Sequence, residues 1–121
     1  MADAARSVIA KLTNNTKFVL TLDKSSVQLD HGKWATSPPD QISPGDVGQW
    51  ESESDSFNTG TEGRLRYQFS DQSTYNVDVY WSDPFFSGSD YSIDCNADGF
   101  RVGHTGGDGS NATVDYYINE G

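Results

Sequence analysis

Apolar and polar residues alternate along nearly the whole chain, in short runs broken by Gly, Pro, Asn, Asp and Ser. That period of two is the pattern of a half-buried strand, and no helix-length amphipathic stretch interrupts it. "SVIAKLT" at 7–13 predicts a first strand. "NNTK" predicts a turn after it and "FVLTLDKSS" its hairpin partner, with Phe18, Leu20 and Leu22 on one face, because Asn accepts the positive φ of a tight hairpin. "VQLDHGKWAT" sets Val27 and Leu29 on one face before a turn at His31-Gly32. "SPPDQISPGD" holds three of the four prolines. Proline has no N–H for a ladder, so residues 37–46 are predicted to lie outside the sheets until Val47.

From Val47 the strands resume, with Trp50 on the opposite face from Val47 and Gln49. "RLRYQF" alternates Leu65, Tyr67 and Phe69 against Arg64, Arg66 and Gln68. "YNVDVYW" alternates Tyr75, Val77, Val79 and Trp81 against Asn76, Asp78 and Tyr80, and "SDQST" between the two runs reads as a hairpin loop. "YSID", "FRVGHT" and "ATVDYYIN" follow, the last with Ala112, Val114, Tyr116 and Ile118 on one face. About nine short strands with turn signals between them predict an all-β, antiparallel β-sandwich. No repeat, low-complexity tract or linker divides the chain, so residues 1–121 are expected to form a single domain.

Composition sharpens this picture. A mean hydropathy of −0.67 is low for a folded chain, but three Trp, six Tyr and six Phe give the buried positions large areas that disordered segments lack. Eight basic residues stand against eighteen acidic ones, a net charge of −10. Nucleic acid is thereby excluded as an expected partner, since phosphates require a basic stripe. Attraction to anionic lipid is excluded on the same ground, which leaves neutral or zwitterionic membranes met through aromatic groups. Cys95 is the single cysteine, so no intrachain disulfide supports the fold. The opening "MADAARSVIAKLTNN" has no apolar core of signal-peptide length, and no run is long enough to cross a bilayer. The expectation is a soluble protein, cytoplasmic on synthesis, that reaches a foreign membrane only after release.

Candidate chemistry is sparse. "DCNADG" offers Asp94, Asn96, Asp98 and Gly99 in the spacing that opens a calcium loop, but Thr105 stands where a bidentate Glu belongs and the flanks read as strands. A weak calcium site and a turn rich in Asx side chains are both open readings. His31 and His104 are the only histidines, and neither a Gly-x-Ser-x-Gly elbow nor a His-Glu-x-x-His helix is present, so no catalytic residue is proposed, no cofactor is expected and the protein is not expected to be an enzyme.

The segment "VYWSDPFFSGSDYS" at 79–92 stands out in this polar chain. Trp81 continues the apolar stripe of its strand and is expected to anchor the turn in the core. Phe85 and Phe86 are adjacent, so in an extended segment they point to opposite sides and at least one is expected to be presented to a membrane or ligand.

The succession "LTLDKSSVQLDHGKWATSPPDQISPGDVGQWESES", "TGTEGRLRYQFSD" and "VDVYWSDPFFSGSDYS" resembles the aegerolysin family over about Val8 to Ile118. The resemblance implies a β-sandwich similar to that of the actinoporins. It also implies a module that binds membrane lipid, notably sphingomyelin with cholesterol or ceramide phosphoethanolamine, in some relatives with a larger perforin-like partner and to cytolytic or insecticidal effect. Trp34, Trp81 and the Pro84-Phe85-Phe86 turn match family aromatic positions that contact lipid or shape its site, and Glu62 lies nearest the acidic residue of the family's Gly-rich turn. The chain departs from the family in having Asp83 before Pro84, where a Cys is common. The combined expectation is that Trp34, Trp50 and Trp81 form or flank a lipid site, that Phe85, Phe86 and Tyr91 form an insertion edge, and that Glu62 fixes a headgroup. The alternative from another class is a carbohydrate-binding, lectin-like module, since aromatic faces stack on sugars as readily as they meet lipid.

Overall fold

The computed structural model describes residues 6–55, 59–85 and 88–120. Ten strands are present among them: β1 (Ser7–Asn15), β2 (Leu20–His31), β3 (Lys33–Thr36), β4 (Gln41–Ile42), β5 (Val47–Glu53), β6 (Thr61–Asp71), β7 (Ser73–Asp83), β8 (Asp90–Cys95), β9 (Phe100–Gly106) and β10 (Asn111–Glu120). They form two five-stranded sheets in the orders β3-β5-β1-β10-β9 and β4-β2-β6-β7-β8. The predicted all-β sandwich is the architecture found.

Alternation decides which side chains meet between the sheets. From the first sheet come Val8, Ala10, Leu12, Trp50, Val114, Tyr116 and Ile118, and from the second Leu20, Leu65, Tyr67, Phe69, Val77, Val79 and Trp81; all are buried. Their apolar area, at about 25 cal/mol per Å² removed from water, is the main force holding the sheets together. Val47 faces outward at 53% exposure while Trp50, three residues on, has none, as the sequence pattern requires.

Two expectations are corrected. The first two strands do not form a hairpin: β1 lies in the centre of the first sheet, parallel to β10 and antiparallel to β5, while β2 belongs to the other sheet. The reason lies in "NNT". Asn14 is fully buried, its Nδ2 donates to the carbonyls of Phe18 (2.7 Å) and Ile42 (3.0 Å), and its Oδ1 accepts from the Thr16 N–H (3.0 Å). This is an Asx turn that carries the chain across from one sheet to the other. Nor is 37–46 wholly outside the sheets. Gln41–Ile42 pairs with Leu20 and Thr21, and Ile42 is buried; the prolines flank this two-residue edge strand without occupying it.

The β6–β7 hairpin is continuous from Thr61↔Asp83 to Asp71↔Ser73 and closes at Gln72, whose φ is +68°. The start of β6, the end of β7, the β2–β3 turn and the beginnings of β1 and β10 therefore converge at one end of the sandwich.

Candidate functional site at one end of the sandwich

Most of the candidate residues lie at that end. Trp34 on β3 is half-buried, and its ring centroid lies 5.9 Å from that of Trp81, which in turn lies 5.7 Å from Trp50. Trp50 continues the series to Tyr67 at 6.2 Å. Trp81 Nε1 donates to Ser52 Oγ at 2.9 Å, and the Thr61 hydroxyl is hydrogen-bonded to the same Ser52 Oγ at 2.7 Å. The Trp81 indole has its polar atom satisfied and, like Trp50, no exposed surface. Trp50 and Trp81 consequently support the site from inside the core, and only Trp34 of the three carries its ring toward solvent.

Glu62 is on the other side of the sheet. In β6–β7 register Gly63 pairs with Trp81 and Glu62 with Ser82, so alternation turns Glu62 outward while Trp81 turns in. The Tyr80 hydroxyl donates to Glu62 Oε2, and His31 Nε2 lies 3.9 Å from Oε1. This half-buried carboxylate borders a cleft of about 270 Å³ whose lining includes His31, Gly60, Ser82 and Pro84. Sequence reasoning singled out Glu62 but not its holders. Tyr80 was legible as the outward residue next to Trp81, whereas His31 depends on the bulged register of β2 against β6.

The aromatic turn is tied down by a residue the sequence did not flag. Arg6 Nε donates to the Pro84 carbonyl (3.3 Å), Nη2 donates to the Phe85 carbonyl (2.9 Å), and the guanidinium carbon stands 4.5 Å from the Phe85 ring centroid. Phe85 is half-buried. Phe86 lies outside the described residues. Asp83, just before the turn, is 4% exposed, and its Oδ2 has no hydrogen-bond partner among the described residues. Burial pushes its pKa up to about 6, against the pull of Arg6. Tyr91 is cross-strand to Trp81, and its hydroxyl donates to the Gly107 carbonyl at 3.0 Å. It covers the flank of the sandwich toward the Gly-rich turn, and burial raises its pKa.

The calcium-like turn sits at the opposite end. Asn96 Oδ1 accepts the Asn76 N–H at 2.8 Å and thereby joins the turn to β7. Among the described residues no group of three or more His, Cys, Asp or Glu is placed to hold a metal ion. No helix among them is long and apolar enough to cross a membrane.

No family model matches the sequence. An uncharacterized protein of Dictyostelium discoideum is 30% identical over 117 residues, which is 97% of this chain and 10% of that protein. The chain thus spans about a tenth of the length of that curated relative. Among solved structures, the lipid binding protein Nakanori superposes with a TM-score of 0.82 at 14% identity, over 97% of this chain and 72% of Nakanori. RahU, solved in complex with a Tris molecule, gives 0.75 at 15% identity, over 98% of each chain. IP-1A from Alcaligenes faecalis gives 0.68 at 16% identity, over 97% of this chain and 92% of IP-1A. These three are aegerolysin-family proteins, and the chain has their fold.

Proposed function

We propose that the protein is a non-catalytic lipid-binding module that recognises a zwitterionic membrane headgroup at the Trp34–Glu62 end of the sandwich. The observation that carries this reading is the placement of Glu62: a half-buried carboxylate, oriented by the Tyr80 hydroxyl with His31 nearby, at the mouth of a small cleft beside Pro84. A choline or ethanolamine group entering the cleft meets the Glu62 carboxylate, with the Tyr80 ring held beside it by its hydroxyl, and cation–π contact with such a ring contributes about 0.5–2 kcal/mol. The net charge of −10 directs such a module away from anionic leaflets and toward neutral ones. Nakanori, a lipid binding protein of the same fold, supports the assignment to lipid.

Sphingomyelin with cholesterol, or ceramide phosphoethanolamine, is the lipid class this reading favours, with Trp34 and the Pro84–Phe85 turn as the contact edge and a perforin-like protein as the partner for any lytic activity. Trp50, Trp81 and Tyr91 hold that edge in place. Sedimentation with phosphatidylcholine vesicles that carry or lack each lipid tests it. Binding that requires sphingomyelin–cholesterol or ceramide phosphoethanolamine, and that a Trp34→Ala variant loses, is expected; equal sedimentation with and without these lipids would refute the choice of lipid class, and no sedimentation with any of the vesicles would refute the headgroup reading.

A further inference from the structure

A second groove, of about 410 Å³, opens on the outer face of the β2-β6-β7-β8 layer, next to the Glu62 cleft. It falls within the roughly 300–1,000 Å³ of small-molecule sites. Two cross-strand rows cross it: Arg64, Tyr80 and Ser92 in one, Arg66, Asp78 and Asp94 in the other.

The second row is costly for the fold. Asp78 and Asp94 are directly opposite on β7 and β8, and like charges so placed destabilise a sheet. Arg66 answers Asp78 with a fork, Nε at 2.7 Å and Nη2 at 3.4 Å. Nothing among the described residues forms a hydrogen bond or ion pair with the Asp94 side chain, which is exposed. The first row is also tied down: Arg64 Nη2 is 3.2 Å from Asp30 Oδ2, and the Tyr80 ring is held by its hydroxyl on Glu62. The groove thus presents oriented donors from two guanidinium groups, an unspent carboxylate acceptor and an aromatic ring, all on rigid strands.

That combination selects for ligand charge. An anion entering the groove meets Asp78 and Asp94, and a cation meets Arg64 and Arg66. A neutral ligand rich in hydroxyls uses both sets, because each hydroxyl donates to a carboxylate and accepts from a guanidinium, while its C–H face lies on the Tyr80 ring. We infer that this groove is a saccharide-binding site for one or two uncharged hexose units, distinct from the lipid-headgroup cleft, with which it shares Tyr80. The sugar can be free or the headgroup of a glycolipid; the chemistry of recognition is the same.

The test is an amide-resolved NMR titration of the whole chain with methyl β-glucoside, methyl β-galactoside and lactose, paired with sedimentation on phosphatidylcholine vesicles with and without lactosylceramide. Saturable shifts centred on Arg64, Tyr80, Ser92 and Asp94 are expected with at least one sugar. Asp94→Asn should weaken that binding by about tenfold, the value of one charge-assisted hydrogen bond. The same variant should melt higher than wild type, since it removes the like-charge pair, so lost binding cannot be ascribed to misfolding. Ser92→Arg, which fills the groove, should abolish sugar binding and leave sphingomyelin-dependent sedimentation unchanged. Retention on lactosylceramide vesicles that lactose competes away identifies a glycolipid headgroup, and titration by free sugar alone identifies a soluble saccharide. Absence of saturable shifts with all three sugars, or shifts indifferent to both substitutions, would overturn the inference.

Discussion

The guanidinium of Arg6 stacks 4.5 Å from the Phe85 ring centroid while donating to the carbonyls of Pro84 and Phe85, so the residue immediately before β1 fixes the turn that follows β7. A planar fork does both things at once; an ammonium does not. Arg6→Gln is expected to cost about 1–3 kcal/mol of stability through the lost charged hydrogen bonds and ring contact. Arg6→Lys should recover only part of it. Urea denaturation of the three proteins checks the order, and vesicle sedimentation should fall in the same order if the turn must be pre-positioned to meet lipid.

Asp83 lies under the same turn and gives a pH dependence of unusual sign. Its folded-state pKa of about 6 is above the ordinary 3.8, so between those values the native state binds more protons than the unfolded chain. Stability contributed by this group is therefore fully present at acid pH, falls as pH rises through about 4 to 6, and stays lost above. The ceiling is about 3 kcal/mol, from 1.36 kcal/mol per pKa unit. Asp83→Asn, which keeps the shape and removes the charge, should be more stable than wild type at pH 7.5, with the advantage shrinking to nothing near pH 4. Parallel thermal melts across that range decide; an advantage that does not change with pH contradicts the assignment.

Gly63 is the cross-strand partner of Trp81, and a Cβ there would stand 2.5 Å from Trp81 Cζ2. The indole occupies the space that any other residue needs for its side chain, and its neighbours Trp34 and Trp50 leave it no room to withdraw. Gly63→Ala should destabilise by about 1–3 kcal/mol through overpacking and change the Trp emission spectrum in the folded state. Trp81→Ala should cost about 3–5 kcal/mol.

Much of this was readable in the pattern of residues, for an identifiable reason. Strands buried on one face show alternation, and β6, β10 and the run of β7 up to Trp81 have it, so inward residues such as Leu65, Tyr67, Val77, Val79 and Trp81 were predicted correctly, whereas beyond Trp81 both Ser82 and Asp83 are buried. Partners were less legible than elements. Adjacent strands in sequence usually pair, and only the buried side chain of Asn14 reveals that β1 and β2 part company. Face relationships within the candidate site were not legible either: the register places Glu62 and Trp81 on opposite sides of one sheet. Arg6 was invisible because its contacts lie 78 and 79 residues away.

Asn14 itself is expected to be among the least replaceable polar residues. Asn14→Ala strips hydrogen bonds from the carbonyls of Phe18 and Ile42 and from the Thr16 N–H in a buried setting, which costs about 1–3 kcal/mol per group left unpaired. The expected outcome is a loss of more than about 3 kcal/mol in urea denaturation. Asn14→Asp should be nearly as harmful, because a carboxylate accepts from Thr16 but has nothing to donate to the two carbonyls.

Glu62 and Tyr80 separate charge from orientation at the proposed headgroup cleft. Glu62→Gln keeps size and hydrogen-bonding capacity but removes the negative charge, so a cationic headgroup group loses its partner; lipid-dependent sedimentation should weaken by about tenfold or more. Tyr80→Phe keeps the charge and the ring but releases one Glu62 oxygen from its hydrogen bond. It should weaken binding by less, about two- to fivefold, since the carboxylate then spends part of its time turned elsewhere. Raising ionic strength should reduce wild-type binding and leave residual Glu62→Gln binding almost unchanged, because screening acts only where a charge remains to be screened. Equal sedimentation by both variants and wild type at low and high salt would remove Glu62 from recognition and leave the Trp34 edge to carry it.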